Sequence, residues 1–231
     1  MNGYDDLWRS VWGDMQCFGP VHRHTVENLM RIVSDLDVRS ILEVGCGAGQ
    51  NLAGLASLNR YELTGGDISQ EALDIAQRKV PSARLLLIDI EHEILPEQFD
   101  LVMSIQVVEH LLDDMAAFRN LARMARHYVY ISTIRGRMRP SEINIGHLRN
   151  YTEVELRRKL ECVGLEVIHI YGWGFPFYSP LYRSLSEWLP GGPPASPLGR
   201  VAKLAARGLY NLYRLNWPGH GDIVNVLAKQ S

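Results

Sequence analysis

From residue 40 to about 172, short apolar runs alternate with segments in which apolar residues recur every three or four positions. Ser40 to Gly45, Tyr61 to Gly66, Ala83 to Asp89, Phe99 to Gln106, His127 to Thr133 and Leu165 to Tyr171 are the runs that predict strands. The helical patterns between them are "NLAGLASLN", "SQEALDIAQRKV" with Ser69 as N-cap, "DDMAAFRNLARMA", and "TEVELRRKLECVG", where Thr152 caps and Glu155 follows three residues on. A last strand-like run, "DIVNVLA", occupies 222–228. Such alternation predicts parallel βαβ units and therefore an α/β fold, a doubly wound sheet with helices on both faces.

Two additions flank this pattern. Tyr4, Trp8, Val11, Trp12 and Met15 fall at helical spacing, and "FGPVHRH" leads into a second helix ending near Leu36. Residues 1–36 are thus expected to form an N-terminal helical flap on a core of 37–172 and 222–231, with His22 and His24 holding that segment in place. The other addition, 173–221, puts 49 residues where a direct connection needs only a few, and insertions of that length are usually functional. It is expected to be a helical insertion capping an acceptor site. The Pro/Gly-rich "LPGGPPASPLG" at 189–199 is a connector within it.

The insertion gathers Trp173, Phe175, Phe177, Tyr178, Tyr182 and Trp188. These aromatics could roof a pocket for an apolar or planar acceptor, or equally form the core of a small subdomain. Further on, Arg200, Lys203, Arg207 and Arg214 share one helical face, while Leu198, Val201, Ala205, Leu209 and Leu212 form another. No acid occurs between Glu187 and Asp222. The basic face is either solvated or suited to weak contact with an anionic substrate, a carrier-bound acyl chain or a membrane surface.

With 231 residues, 46% of them hydrophobic, the chain can bury a sizeable core. A formal charge of −2 lacks the basic excess of a nucleic-acid binder, so no nucleic-acid partner is expected. Cys17, Cys46 and Cys162 are scattered and never form a CxxC pair, which suggests neither a disulfide framework nor a zinc site and fits a reduced, cytoplasmic protein. The first residues carry acids where a signal peptide would be basic and apolar, and no run of about 18 apolar residues suggests a membrane span.

In open α/β sheets ligands bind beyond the carboxyl ends of the strands, near the point where the winding reverses. "ILEVGCGAGQN" (41–51) ends its strand in Gly45, Gly47 and Gly49, residues that permit tight turns and close backbone approach. A dinucleotide fingerprint starting at Gly45 needs a small residue at 50, where Gln50 stands; one starting at Gly47 meets Leu52. This disfavours an NAD-dependent oxidoreductase, and the lack of a following Gly-Lys-Ser/Thr excludes a P-loop. Glu43 within the strand end is costly to bury unless an ammonium group or backbone N–H groups pair with it. Asp67, 18 residues beyond Gly49, suits the two hydroxyls of a ribose. Asp89 and Ile90 offer a polar and an apolar group that could meet an adenine, and Gln106 follows the fourth strand.

On these motifs the chain resembles the class I S-adenosylmethionine-dependent methyltransferases, over residues 20 to 172 and the last strand. The resemblance implies a seven-stranded Rossmann-like sheet with S-adenosylmethionine as cofactor and S-adenosylhomocysteine as product. It places "ILEVGCGAGQN", with Glu43, Gly45, Cys46, Gly47 and Gly49, under the methionine part. "LTGGDIS" would supply the ribose acid Asp67 with Ile68 beside it, and "LLLIDIE" the adenine contacts Asp89 and Ile90. "FDLVMSIQVVEHL" brings Gln106 and leads to Glu109-His110, and "GHLRNYTEVELRRKLECVGLEV" carries Gly146-His147 and Tyr151. "RMARHYVYIST" departs from the Pro-Gly-Gly turn that many relatives carry before the fifth strand.

Methyl transfer from a sulfonium depends mainly on positioning, and a base is needed only when the acceptor must lose a proton. His110 and His147, each placed after a strand, are the candidate bases; both also have plain structural readings, as has Tyr151. The expected activity is methyl transfer to a small-molecule or lipid-like acceptor, most plausibly to oxygen. The alternatives are N- or C-methylation of a natural-product intermediate and a non-catalytic partner subunit that keeps the fold.

Overall fold

The computed structural model describes residues 17–185 and 199–231. Seven strands, β1 (Ser40–Val44), β2 (Glu62–Asp67), β3 (Arg84–Leu87), β4 (Phe99–Ile105), β5 (Ala125–Ile134), β6 (Leu165–Trp173) and β7 (Ile223–Gln230), form one sheet in the order β3-β2-β1-β4-β5-β7-β6. All are parallel except β7, which runs antiparallel between β5 and β6. The strand order reverses between β1 and β4, so a crevice opens at their carboxyl ends.

Helices α1 (Pro20–Ser34), α2 (Gln50–Ala56), α3 (Gln70–Lys79), α4 (Asp114–Met124), α5 (Pro140–Asn144), α6 (Glu153–Cys162), α7 (Arg183–Leu185) and α8 (Arg200–Tyr213) surround the sheet. Their starts follow local chemistry. The Ser69 hydroxyl accepts from Ala72 N at 3.2 Å and the Asp113 carboxylate from Ala116 N at 2.9 Å. Thr152 likewise accepts from Glu155 N at 3.1 Å, so each cap satisfies an amide the helix cannot.

Side chains alternate across the strands, and each strand feeds two cores. Ile41, Leu101 and Met103 pack with Leu29 and Val33 of α1 and Leu52 and Leu55 of α2. Their neighbours Leu42 and Val102 turn the other way, onto Phe118 and Leu121 of α4 and Leu156 and Leu160 of α6. Both faces are covered, as the doubly wound pattern predicts. The elements match the expected ones to within a few residues; the third strand stops at Leu87, two residues short of Asp89.

The helix expected over residues 4–15 lies outside the described residues, as do Trp188, Leu198 and most of the Pro/Gly-rich connector. Between β6 and β7, Trp173, Tyr178 and Tyr213 form a third core with Ile134 and Ile223 at the ends of β5 and β7. Phe177, Tyr182, Leu209 and Leu212 pack against it. This cluster decides how α8 lies. Leu209, Leu212 and Tyr213 face inward, while Val201 and Ala205, expected on the same apolar face, are exposed. Lys203 is half-buried with its ammonium 4.3 Å over the Phe18 ring, so it leaves the expected basic face, where Arg200, Arg207 and Arg214 remain exposed.

His24 ties α1 to α8. Its ring stacks on Tyr210 at 4.6 Å, Nε2 donates to Tyr210 O at 2.9 Å, and Nδ1 lies 3.1 Å from Glu27. His22 sits half-buried in the first turn of α1.

Candidate active site

The crevice is built on the β1–α2 turn. Gly45, Gly47 and Gly49 have φ of 75°, 51° and 71°, in the left-handed region that side chains disfavour. A Cβ on Gly45 would also overlap Val107, which follows β4, so the first glycine is required twice over. Gly45 N and Cys46 N donate to Gly66 O at 2.7 and 3.0 Å and pin the turn to the end of β2. Cys46 itself is buried, its thiol pushed well up by burial and then by Glu43 and Asp67; its side chain packs beneath the turn.

Asp67 closes the turn from the other side. Its carboxylate accepts from Gly47 N at 2.7 Å and from Ser69 N at 2.9 Å, so the same side chain fixes the glycine loop and the start of α3. Ile68 beside it is 47% exposed. Gln106 adopts a left-handed φ of 58° at the end of β4, with its backbone N bonded to Ser132 O at 2.7 Å and its side-chain Nε2 buried without a partner.

Glu43 is fully buried at the end of β1. Asn51 of α2 donates to one oxygen at 2.6 Å, and the other, Oε2, has no partner. Burial pushes its pKa up to about 8, Asn51 opposes this, and the charge of Asp67 adds to it. An unpartnered buried carboxylate at a backbone turn fits a site for a cation, the role an ammonium group would fill.

At the adenine end the arrangement differs from the expected one. Asp89 bonds within its own turn, accepting from Glu91 N at 3.0 Å and lying 3.0 Å from His92 Nδ1. Ile90 is buried in the sheet core with Leu42, Val44 and Val108, so its side chain packs inward rather than presenting a face to a ligand. With β3 ending at Leu87, the strand alternation no longer governs where 89 and 90 point. Ile68 is the exposed apolar neighbour instead.

Beyond β4, a 3-10 turn (Val108–His110) meets the loop after α5. His110 Nδ1 lies 3.1 Å from Gly146 O; since a carbonyl only accepts, Nδ1 carries the proton and Nε2 the lone pair in the neutral ring. His110 and His147 meet edge to face at 4.6 Å. Burial lowers both pKa values, that of His147 to about 4 with the neighbouring His110 adding to the shift, while the hydrogen bond to Gly146 opposes it at His110. Glu109, fully buried, accepts from Thr133 Oγ1 at 2.8 Å through one oxygen; the other has no partner, and burial lifts its pKa to about 7. One ligand atom from each of Glu109, His110 and His147 lies within 4.8 Å of the others, a spacing at which the three could hold a cation. Tyr151 is structural: fully buried, its hydroxyl is 2.9 Å from Val108 O and 2.8 Å from Asp114 Oδ2.

Of the aromatics between β6 and β7, Trp173 and Tyr178 stack at 5.9 Å inside the third core, with Tyr182 against them; there they support the fold and offer little surface. Phe175 and Phe177 do line an open apolar groove of about 630 Å³, with Pro176, Pro180, Leu181 and Leu185. Neither His110 nor His147 lines it. The two regions are coupled through Arg183, whose guanidinium donates to Glu142 at 2.8 Å and to the Arg135 carbonyl at 3.0 Å and pairs with Asp222. Glu142 O in turn accepts from His147 N at 3.0 Å.

Sequence reasoning gave no role to Glu109 or Asn51 and did not find the Arg183 cluster. Glu109 had a signal, a lone acid between apolar residues and His110 just after a buried strand; Arg183 and its partners are some 40 residues apart in sequence and had none.

Comparison with known proteins accords with this geometry. Residues 42–131, which run from the glycine turn through β5, match the profile of a family described as "Methyltransferase domain". Over that stretch the chain is similar to a methyltransferase domain. A ubiquinone biosynthesis O-methyltransferase of Pseudomonas putida (strain GB-1) is 32% identical over 144 residues, covering 57% of this chain and 60% of that protein. The chain spans about half the length of the curated relatives it matches. Among solved structures, magnesium protoporphyrin IX methyltransferase of Synechocystis PCC 6803 with bound S-adenosylhomocysteine has a TM-score of 0.60 at 16% identity, covering 95% of this chain and 86% of that one. The [4+2]-cyclase SpnF has a TM-score of 0.62 at 19% identity, covering 88% and 80%. At these identities the structural likeness establishes the fold, which in the Synechocystis protein holds S-adenosylhomocysteine. SpnF shows that the reaction must be argued from the site.

Proposed function

We propose that this chain transfers a methyl group from S-adenosylmethionine to an oxygen of a small-molecule or lipid-like acceptor. The observation that carries the donor half is the buried Glu43, its Oε2 unpartnered, at the base of three left-handed glycines. Glu43 and the glycine turn from Gly45 to Gly49, whose lack of side chains lets a ligand come close, would hold the methionine part, Asp67 and Ile68 the ribose, and Gln106 with Asp89 the remaining polar edges. When bound, the cofactor supplies an electrophilic methyl group that needs little activation. The chain's own work is to position and dehydrate the reacting groups.

The oxygen assignment rests on the second cluster. His110, neutral at physiological pH with its lone pair on Nε2, can take the proton that a hydroxyl acceptor must lose, and Glu109 Oε1 and His147 Nδ1, both buried without partners, stand near it to bond a polar acceptor. The relative from Pseudomonas putida bears the name O-methyltransferase, which agrees with this reading. Phe175 and Phe177 line the groove that fits an apolar acceptor. Three cysteines without disulfides fit a reduced cytoplasmic setting.

Incubation with methyl-labelled S-adenosylmethionine and a panel of phenols, hydroxylated lipids and amines tests the proposal. The expected product carries the label as a methoxy group, with S-adenosylhomocysteine formed in equal amount. Label on nitrogen or carbon would redirect the reading to N- or C-methylation, and tight S-adenosylhomocysteine binding without turnover on any acceptor would favour a non-catalytic partner subunit.

A further inference from the structure

Packing of Leu209, Leu212 and Tyr213 into the third core leaves an unusual outer surface on α8. Val201, Leu204 and Leu215 are 82%, 72% and 63% exposed, and Trp217 just beyond the helix is 62% exposed. Arg200, Arg207 and Arg214 recur at intervals of seven, which is close to two helical turns, and so form one line along the helix. Val201, Gly208 and Leu215 recur at the same interval and form a second line, with Leu204 between the two. The solvent side of α8 is therefore split lengthwise into a basic stripe and an apolar stripe. Among the described residues none of the three arginines has an ion-pair partner. Glu27 of the neighbouring α1 is engaged with His24 and the Tyr210 hydroxyl.

The apolar surface continues past the helix end. Trp217 packs on Phe175 with ring centres 5.5 Å apart and donates its backbone N–H to Phe175 O at 2.7 Å. Phe175 lines the open groove with Leu181 and Leu185, themselves 55% and 54% exposed.

We propose that α8 and the Trp217 end form a surface that lies on anionic lipid. A helix that exposes leucines and a tryptophan beside a line of arginines has the make-up of an interfacial segment: the apolar stripe enters the acyl boundary while the guanidinium groups meet phosphate headgroups. A second copy is a poor occupant, because a two-fold contact through this face would bring six arginines together and α8 itself carries no acid to offset them. No helix among the described residues is long and apolar enough to cross a membrane, so the contact is one of lying on the surface. The inference goes beyond the methyl-transfer reading and does not depend on it. If both hold, the lipid surface lies next to the groove.

Sedimentation with vesicles tests it. The protein is expected to sediment with vesicles of mixed phosphatidylcholine and phosphatidylglycerol, to stay in solution with phosphatidylcholine alone, and to be released by salt. Replacing the three arginines by glutamine (Arg200→Gln, Arg207→Gln, Arg214→Gln) should weaken binding on the order of tenfold or more. The pair Leu204→Gln and Leu215→Gln, which leaves the charge unchanged, should weaken it as well, and both variants should bind S-adenosylhomocysteine like the parent. Three results would overturn the inference: a parent protein that ignores anionic vesicles, variants that sediment like the parent, or a dimer in free solution that the leucine substitutions dissolve. Failure of S-adenosylhomocysteine binding by the parent would count against the donor site alone.

Discussion

The glycine turn and the segment between β6 and β7 use buried groups in opposite ways. At the turn, buried polar groups are held at backbone strand ends with capacity to spare: Glu43 Oε2, Gln106 Nε2 and one Glu109 oxygen all lack partners. In the other segment the buried groups are mostly aromatic and pack on one another, Trp173 stacked on Tyr178 and Tyr213 edge-on to both, while the buried guanidinium of Arg183 is held between Glu142 and Asp222; the Tyr213 hydroxyl and Asn216 Nδ2 are the segment's unpartnered polar atoms. Spare polar capacity in a buried place costs stability and is expected where a ligand completes it. A core of aromatic rings packed on one another, with its buried charge paired, is expected where a surface must be held up. The first region therefore reads as a binding site and the second as a scaffold whose edges, Phe175 and the outside of α8, do the contacting.

The contrast can be broken most sharply at His110. His110→Ala should lower turnover by about 10²–10⁴ if it removes the acceptor proton. Because burial depresses its pKa, the neutral ring persists on acidification, and the acid limb of kcat/KM should lie below the ordinary imidazole range and vanish in the variant. An unchanged profile would assign the residue to structure. Tyr213→Ala comes next. Emptying the centre of the third core should cost about 3–5 kcal/mol in thermal unfolding, while S-adenosylhomocysteine affinity in the folded fraction stays near that of the parent. A large loss of affinity would show that the two regions are not separable.

Asp67→Asn should cost about 2–3 kcal/mol of S-adenosylhomocysteine binding, read by calorimetry, since the carboxylate that fixes Gly47 N and Ser69 N is lost along with its charge. The smallest effect belongs to the outside of α8. Leu204→Gln should move stability by no more than about 0.5 kcal/mol, because the side chain is exposed. A drop of several kcal/mol there would mean that this face is covered.

Most of the donor side was legible in the sequence because strand ends are strong landmarks. Buried runs of Val, Ile and Leu place Glu43, the three glycines, Asp67 and Gln106 at one edge of the sheet, and backbone topology does the rest. Ile90 was not legible, since β3 ends two residues early and alternation past a strand end carries no information about facing. The roll of α8 was hidden for another reason. Its apolar residues outnumber the places the aromatic core can offer, and only tertiary contact with His24, Tyr178 and Tyr182 decides which of them go inside. The Arg183 pairs depend on distant loops meeting, which no local pattern announces.

The account's central claim is that Glu43 waits for the cationic end of the cofactor. With burial raising its pKa to about 8, Glu43 keeps its proton at neutral pH in the ligand-free protein, and the penalty for ionising it grows as pH rises from the ordinary carboxylate range toward that value. An ammonium group arriving at Oε2 should lower the pKa and expel the proton. Calorimetric titration with S-adenosylhomocysteine near pH 7, in buffers of different ionisation enthalpy, measures this directly. The account predicts binding with release of close to one proton, absent in Glu43→Gln. Binding with no buffer dependence, or a Glu43→Gln variant that releases the same proton, would contradict it.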